Sequence, residues 1–167
     1  LLGQPGIGKS RLLRFAIDLA AQRGVAVARA RGGRLGQAAP LDVVRQLVHS
    51  LNDRDQSQAE DVARTTLKGL AKLGLEPVDI QRLENLFSMS TTNPGANPAA
   101  DEERYHDRAA LLEVFARATS HQPLLLLIDD AHLSDRVSLE ILEEVVSRSS
   151  ATHLLGLLAA ARAGETD

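Results

Sequence analysis

Apolar positions recur along the chain in two rhythms. Residues 9–23 carry Leu12, Leu13, Ala16, Leu19 and Ala20 at three- and four-residue spacing, which predicts a helix stopped by Gly24. Val25 to Ala30, small and β-branched, predicts a short strand closed by Arg31-Gly32-Gly33, with a loop running to Pro40. Leu41, Val44, Leu47, Val48 and Leu51 share one face of a helix over 41–52, and further helical stretches follow at 59–73 and 79–88, separated by Gly74 to Val78. The rhythm stops over 90–100, where two Asn-Pro steps and a glycine predict a mobile surface loop within the domain. Asp101 is placed to cap a helix running to about Ser120, with Tyr105, Leu112, Phe115 and Thr119 along one side, and Gln122-Pro123 ends it.

The last third changes character. Leu124-Leu125-Leu126-Leu127-Ile128 is unbroken apolar sequence ending in two carboxylates, the pattern of a central parallel strand covered on both faces. Residues 136–149 predict a helix with Leu139, Leu142 and Val146 inward, and 153–161, from His153 to Ala161, predict a second buried strand ahead of Arg162. Strands alternating with helices imply an α/β fold around a mostly parallel sheet.

Composition narrows the class. At 167 residues and 44% hydrophobic content, one domain, 1–167, has enough apolar surface to form its own core. A formal net charge of -3 gives no sign of the basic face that nucleic-acid binding needs, so no direct nucleic-acid partner is expected. With no cysteine there is neither a disulfide framework nor a thiolate metal site, and no apolar run approaches membrane-spanning length; a cytoplasmic setting without membrane contact is expected. Only Leu1 and Leu2 precede the first glycine, so the strand expected there is short, and the chain is read as a fragment of a longer protein.

The strongest chemical signal is Gly3-Gln4-Pro5-Gly6-Ile7-Gly8-Lys9-Ser10 ahead of the first helix. A polyphosphate is held compactly by a concave row of backbone N–H groups at the positive end of a helix. The glycines permit the backbone angles and the close approach, Lys9 can reach the β- and γ-phosphates, and Ser10 can offer its hydroxyl to Mg²⁺. A chance match over a chain of this length is on the order of 10⁻² or less from average residue usage. The loop therefore points to a nucleoside triphosphate and a P-loop NTPase three-layer sandwich, truncated at both ends and with an inserted helical segment.

In such folds Mg²⁺ is oriented by an acid at the end of a buried strand, and Asp129 stands there. Asp130 follows, where a carboxylate can polarise the attacking water or link nucleotide state to a neighbouring group.

The segment Gly3 to Ser10 with Arg11-Leu12-Leu13, and Leu125 to Asp135 (Leu-Leu-Leu-Ile-Asp-Asp-Ala-His-Leu-Ser-Asp), resemble the nucleotide-binding domain of STAND-type ATPases within the AAA-like group. Such domains occur in large bacterial regulators, among them LuxR-type transcriptional activators and proteins joined to cyclase or kinase modules. The likeness runs from residue 1 to about Arg162. Leu133 stands where the family commonly has Trp, a departure that bears on partner contact rather than on nucleotide. The resemblance implies ATP rather than GTP, with Gly3 to Arg11 on the nucleotide, Ser10 and Asp129 on Mg²⁺, Asp130 in hydrolysis, and Arg162 as a γ-phosphate sensor. It also implies a slow nucleotide-controlled switch whose partners are output domains of the same longer chain, with self-association as a further partner.

The remaining polar residues have simpler readings. Asp135 precedes a predicted helix and should cap it. His132 either senses phosphate or packs the turn. Arg31 and Arg34, near Gly32-Gly33, either contact partners or neighbouring acids or, by default, are solvated loop charges. His49, His106 and His121 show no metal-ligand spacing, and no Gly-x-Ser-x-Gly or cysteine nucleophile is present. Two other functions fit the same loop: an AAA+ motor-type ATPase or small-molecule phosphotransferase, and a nucleotide-binding platform without hydrolysis. Against the first, no basic lid is evident and the second acid is Asp130 rather than the longer Glu.

Overall fold

The computed structural model describes residues 1–33, 39–52, 69–88, 98–149 and 154–163. The expected helix at 59–73 lies outside these residues up to position 68, as do Arg34, His153 and positions 90–97 of the expected loop; residues 69–72 are helical.

In chain order the elements are β1 (Leu2–Gly3), α1 (Lys9–Gln22), β2 (Ala26–Arg31), α2 (Asp42–Asn52), α3 (Pro77–Ser88), α4 (Pro98–His121) and β3 (Leu124–Asp129). They continue with a 3₁₀ turn (Ala131–Leu133), α5 (Arg136–Arg148), β4 (Leu155–Ala159) and β5 (Ala161–Arg162). All strand pairing among the described residues is parallel. β2 pairs β3 from Ala26↔Leu124 to Arg31↔Asp129, and β3 pairs β4 from Leu124↔Leu155 to Ile128↔Ala159. β5 pairs β1 through Leu2↔Ala161 and Gly3↔Arg162. Ala160 joins β4 to β5, its N–H donating to Ile128 O at 2.8 Å, and Ala161 N donates to Leu1 O at 2.9 Å. One run, 155–162, thus pairs with β3 over its first half and with β1 over its second. The α/β sandwich with its parallel sheet is as the sequence indicates.

Helices cover both faces of the sheet. On one side Leu13 of α1 buries against Leu127 and Ala160, with Ile17, Val27 and Leu158 around them. On the other, Leu124, Leu126 and Ile128 meet Val43, Val44, Leu47 and Val48 of α2, Leu111 and Phe115 of α4, and Ile141, Leu142 and Val145 of α5. Removing each such side chain from water contributes roughly 1.5–3 kcal/mol, which explains why β3 is apolar at every position before its acids.

Local chemistry sets the element ends. α1 stops in a Schellman arrangement, with Val25 N on Ala20 O (2.9 Å), Gly24 N on Ala21 O (3.2 Å) and Gly24 at φ 67°. α3 and α4 both begin on proline, so they start earlier than the bounds 79 and 101 expected from sequence: proline's fixed φ and missing N–H suit the first helical position. Asp101 therefore lies inside α4, and residues 98–100 are helix rather than loop. β2 is at the sheet edge, where α2 supplies its missing partners. Ser50 Oγ accepts from Arg29 N at 2.9 Å, and the Gln46 amide both accepts from Arg31 N and donates to Arg31 O, each at 3.0 Å.

Three expectations about facing are corrected. α5 turns Ser138, Ile141, Leu142 and Val145 inward, leaving Leu139 at 44% and Val146 at 41% exposed. The inward face includes a serine because Ser138 Oγ accepts from the buried Val44 N at 3.2 Å, a partner on another element that periodicity cannot show. Tyr105 is 69% exposed, off the buried stripe of Leu112, Phe115 and Thr119. The strand expected at 153–161 is two short pieces, and only Ala160 among its described residues is fully buried, because β4 stands at the edge of the three-stranded sheet.

Candidate functional site

The carboxyl ends of β1, β3 and β5 come together, which is where open parallel sheets hold their ligands. β1 feeds the glycine loop. Gly6 (φ 81°) and Gly8 (φ 99°) take left-handed backbone conformations that side-chain-bearing residues adopt rarely, although a Cβ at either would meet nothing within 4 Å. Their requirement is conformational; that of Gly3 is spatial, since a Cβ there would stand 3.0 Å from Ile7 Cγ2. Gly8 is the N-cap of α1, with no side-chain cap and no acid in the first turn. The helix therefore presents its first-turn N–H groups, and the positive end of its dipole, without an acceptor side chain of its own.

Lys9 folds over the loop, Nζ donating to Gly3 O at 2.6 Å and to Gln4 O at 2.9 Å, which keeps the ammonium at the helix mouth with one N–H to spare. A turn bond from Ile7 N to Gln4 O (3.5 Å) closes the loop, with Pro5, Ile7 and Arg11 exposed around it. Ser10 Oγ donates to Asp129 Oδ2 at 3.0 Å. The hydroxyl and carboxylate assigned to the metal from sequence thus stand together, one at the start of α1 and one at the end of β3. Uncapped amides, one ammonium and a hydroxyl–carboxylate pair fit a magnesium-bound polyphosphate: the cation's ligands are hard oxygens and the anion's are N–H donors.

Asp130 adopts φ 50°, ψ 42°, and its N–H donates to Asp129 Oδ1 at 3.0 Å. Arg31 takes the contact with a neighbouring acid rather than the default of a solvated charge: Nε and Nη2 both donate to Asp130 Oδ2, at 3.0 and 2.9 Å. The hydrogen bond and charge of Asp130 raise the Arg31 pKa above its ordinary value. Gly32 makes the approach possible, since a Cβ there would run into the Asp130 carbonyl. The sequence signal for this contact becomes readable only with the strand register. A basic residue ends the strand that lies parallel to one ending in two acids.

Arg162 pairs with Gly3 across β5 and β1, beside the loop, with its side chain exposed. Its N–H donates to His132 Nδ1 at 3.3 Å, so His132 ties the turn after β3 to the strand beside the loop. Asp135 caps α5 as expected, accepting from Ser138 N at 2.8 Å, but it also accepts from Leu41 N (2.9 Å) and Val43 N (3.4 Å) at the start of α2.

The family model for the AAA ATPase domain matches residues 1–158. The chain belongs to this family. No curated protein and no solved structure matches it. Membership brings nucleotide binding and ATPase chemistry to this AAA ATPase domain, and among its described residues no helix is long and apolar enough to cross a membrane.

Proposed function

We propose that this AAA ATPase domain is an ATP-dependent regulatory switch of the STAND type, binding Mg·ATP on Gly3 to Arg11 and hydrolysing it slowly. The observation that carries the reading is the Ser10–Asp129 contact at 3.0 Å, which joins the phosphate loop to the acidic end of β3. Mg²⁺, when bound, would neutralise phosphate charge and order the oxygens. Lys9 supplies an ammonium to the β- and γ-phosphates, the first-turn amides of α1 supply neutral donors, and Ser10 and Asp129 hold the metal and its waters. Asp130 accepts the proton of the attacking water, and Arg162, which pairs with Gly3, senses the terminal phosphate. The output is conformational: bound γ-phosphate favours one arrangement of the domain against output modules of the same longer chain, and hydrolysis releases it.

The ion pair on Asp130 favours slow turnover over a motor's rate, because the carboxylate is engaged by the Arg31 guanidinium rather than free to face water. Calorimetric titration with Mg·ATP tests the binding: Lys9→Ala should lose measurable affinity while unfolding at the same temperature, and unchanged affinity would exclude the loop as the site. Turnover of the full-length protein above about 1 s⁻¹ would place it with working enzymes instead of switches.

A further inference from the structure

The run 155–162 changes strand partner part-way, and the change leaves one N–H group without a place in the sheet. Ala161 N donates to Leu1 O at 2.9 Å and Ala163 N to Gly3 O at 3.4 Å, both toward β1, whereas Ala160 N donates to Ile128 O at 2.8 Å, toward β3. By this alternation Arg162 N also faces the β3 side, where an unbroken ladder would give it Asp130 O, two residues on from Ile128. That carbonyl is taken. Asp130, at φ 50°, turns the chain out of the sheet, and its oxygen accepts from Leu133 N at 2.9 Å and packs against Gly32. His132 Nδ1 accepts from Arg162 N instead, at 3.3 Å. A side chain thus extends the ladder one step beyond the point where the backbone of β3 has left it.

The bond joins two parts of the site. On one side is the turn that follows Asp130, already tied to the run by Ala131 N on Ala160 O at 2.7 Å. One bond alone lets the turn pivot; the second, from the next residue, fixes its angle. On the other side Arg162 pairs with Gly3, whose carbonyl accepts both Ala163 N and Lys9 Nζ, the latter at 2.6 Å. For Nδ1 to accept, the ring proton must sit on Nε2, so the imidazole in this bond is neutral.

We propose that His132 is a positioning residue for hydrolysis: by holding Arg162 N–H it fixes the turn that carries Asp130 against the strand paired with the phosphate loop. It thereby sets where the acid stands relative to the terminal phosphate. The proposal rests on the P-loop reading above and adds to it a residue that acts on the reaction through backbone it holds in place. A displacement of about 1 Å in a reacting group can lower a rate roughly a hundredfold, so a modest pivot of the turn is enough to matter.

The test is single-turnover hydrolysis of Mg·ATP by the full-length protein, with affinity measured separately by calorimetry. His132→Ala should slow hydrolysis about tenfold while affinity stays within a few-fold, a partial loss on the scale of a small misplacement. His132→Asn places an oxygen where Nδ1 stands and should restore most of the rate; His132→Gln, whose polar end reaches the position of Nε2, should restore little. This pair carries the test should the alanine variant unfold. An unchanged rate in His132→Ala, or equal losses of rate and affinity, would overturn the proposal. So would rescue by Gln and not by Asn, which would mean that Nε2 meets phosphate or water directly. Nitrogen NMR of labelled histidine gives a second readout: the ring signals missing from His132→Asn should be those of an imidazole protonated at Nε2 alone, and a proton on Nδ1 would remove the bond on which the proposal stands. Failure of the P-loop reading looks different. The unaltered protein would then not bind or hydrolyse Mg·ATP, or Lys9→Ala would bind as well as it does, and the role of His132 in turnover would fall with it while its ring signals still reported the bond.

Discussion

Ser10 Oγ donates to Asp129 Oδ2 across 3.0 Å and 119 positions of sequence. The bond needs three independent placements: β1 must deliver the loop, α1 must begin at Lys9, and β3 must end beside them with only the 155–162 run between. If the pair holds a cation, its two members should be coupled in binding. Ser10→Ala and Asp129→Asn should each remove most of the magnesium-dependent share of triphosphate affinity, about tenfold or more, and the double variant should lose little beyond the worse single one. Titrations with and without magnesium measure this; additive losses, or losses equal in the absence of magnesium, would separate the two residues from the metal.

Asp135 sits at a junction of two helices. Its oxygens accept from Ser138 N within α5 and from Leu41 N and Val43 N at the start of α2, while Ser138 Oγ takes Val44 N. Leu41, at φ 65°, is held in a conformation that a leucine rarely adopts. Asp135→Ala would remove a cap and strand buried donors, a combined cost of roughly 2–4 kcal/mol. Urea unfolding should show a lower midpoint at unchanged slope, and Asp135→Asn, which keeps an acceptor oxygen, should recover part of it. A loss below about 1 kcal/mol would reduce Asp135 to an ordinary surface cap.

This junction shows where sequence reading succeeds and where it stops. The glycine loop, the acid-tipped β3 and the Asp135 cap were legible because each depends on neighbours within a few positions: Gly6 and Gly8 on backbone freedom, Leu124 to Ile128 on two-faced burial, Asp135 on the helix that follows it. What depended on distant partners was not. Ser138 reads as a polar interruption until Val44 N is beside it, and the apolar pattern then selects Leu139 and Val146, one position off. Arg31 reads by default as a loop charge until the β2–β3 register sets it opposite Asp129. The starts of α3 and α4 were a different kind of miss: Pro77 and Pro98 carried a local start signal, which for α4 the cap expected at Asp101 overshadowed.

His49 predicts a pH dependence unconnected with nucleotide. It lies half-buried on α2, tilted against Phe87 at 5.8 Å, and Arg45 stands over the same ring. Burial first, and the Arg45 charge second, lower its pKa from 6.5. The folded state thus binds its proton less readily than the unfolded one. This contribution to stability is complete above 6.5 and is lost progressively as pH falls from 6.5 toward the folded value. Unfolding midpoints on either side of 6.5 should show the decline, and His49→Gln should flatten it; an unaltered slope in that variant would assign it to other groups.

Gly32 offers the sharpest separation of binding from turnover. A Cβ there would collide with the Asp130 carbonyl oxygen and lie 3.1 Å from the carbonyl carbons of Asp130 and Leu133. These are backbone atoms, so no rotamer change relieves the clash, and either the end of β2 or the turn at Ala131–Leu133 must move. The contrast is Gly156, where a Cβ would meet only Leu125 Cδ1 at 3.3 Å, the far end of a flexible side chain. Gly32→Ala should cost roughly 1–3 kcal/mol in unfolding free energy, as overpacking does, and Gly156→Ala clearly less. Displacing Asp130 leaves Lys9 and the first turn of α1 untouched, so ATP affinity in Gly32→Ala should stay within a few-fold while hydrolysis falls tenfold or more, about 1.4 kcal/mol in the barrier. Equal damage to affinity and turnover would mean that the turn supports the whole loop, and undiminished hydrolysis would remove Asp130 from the reaction.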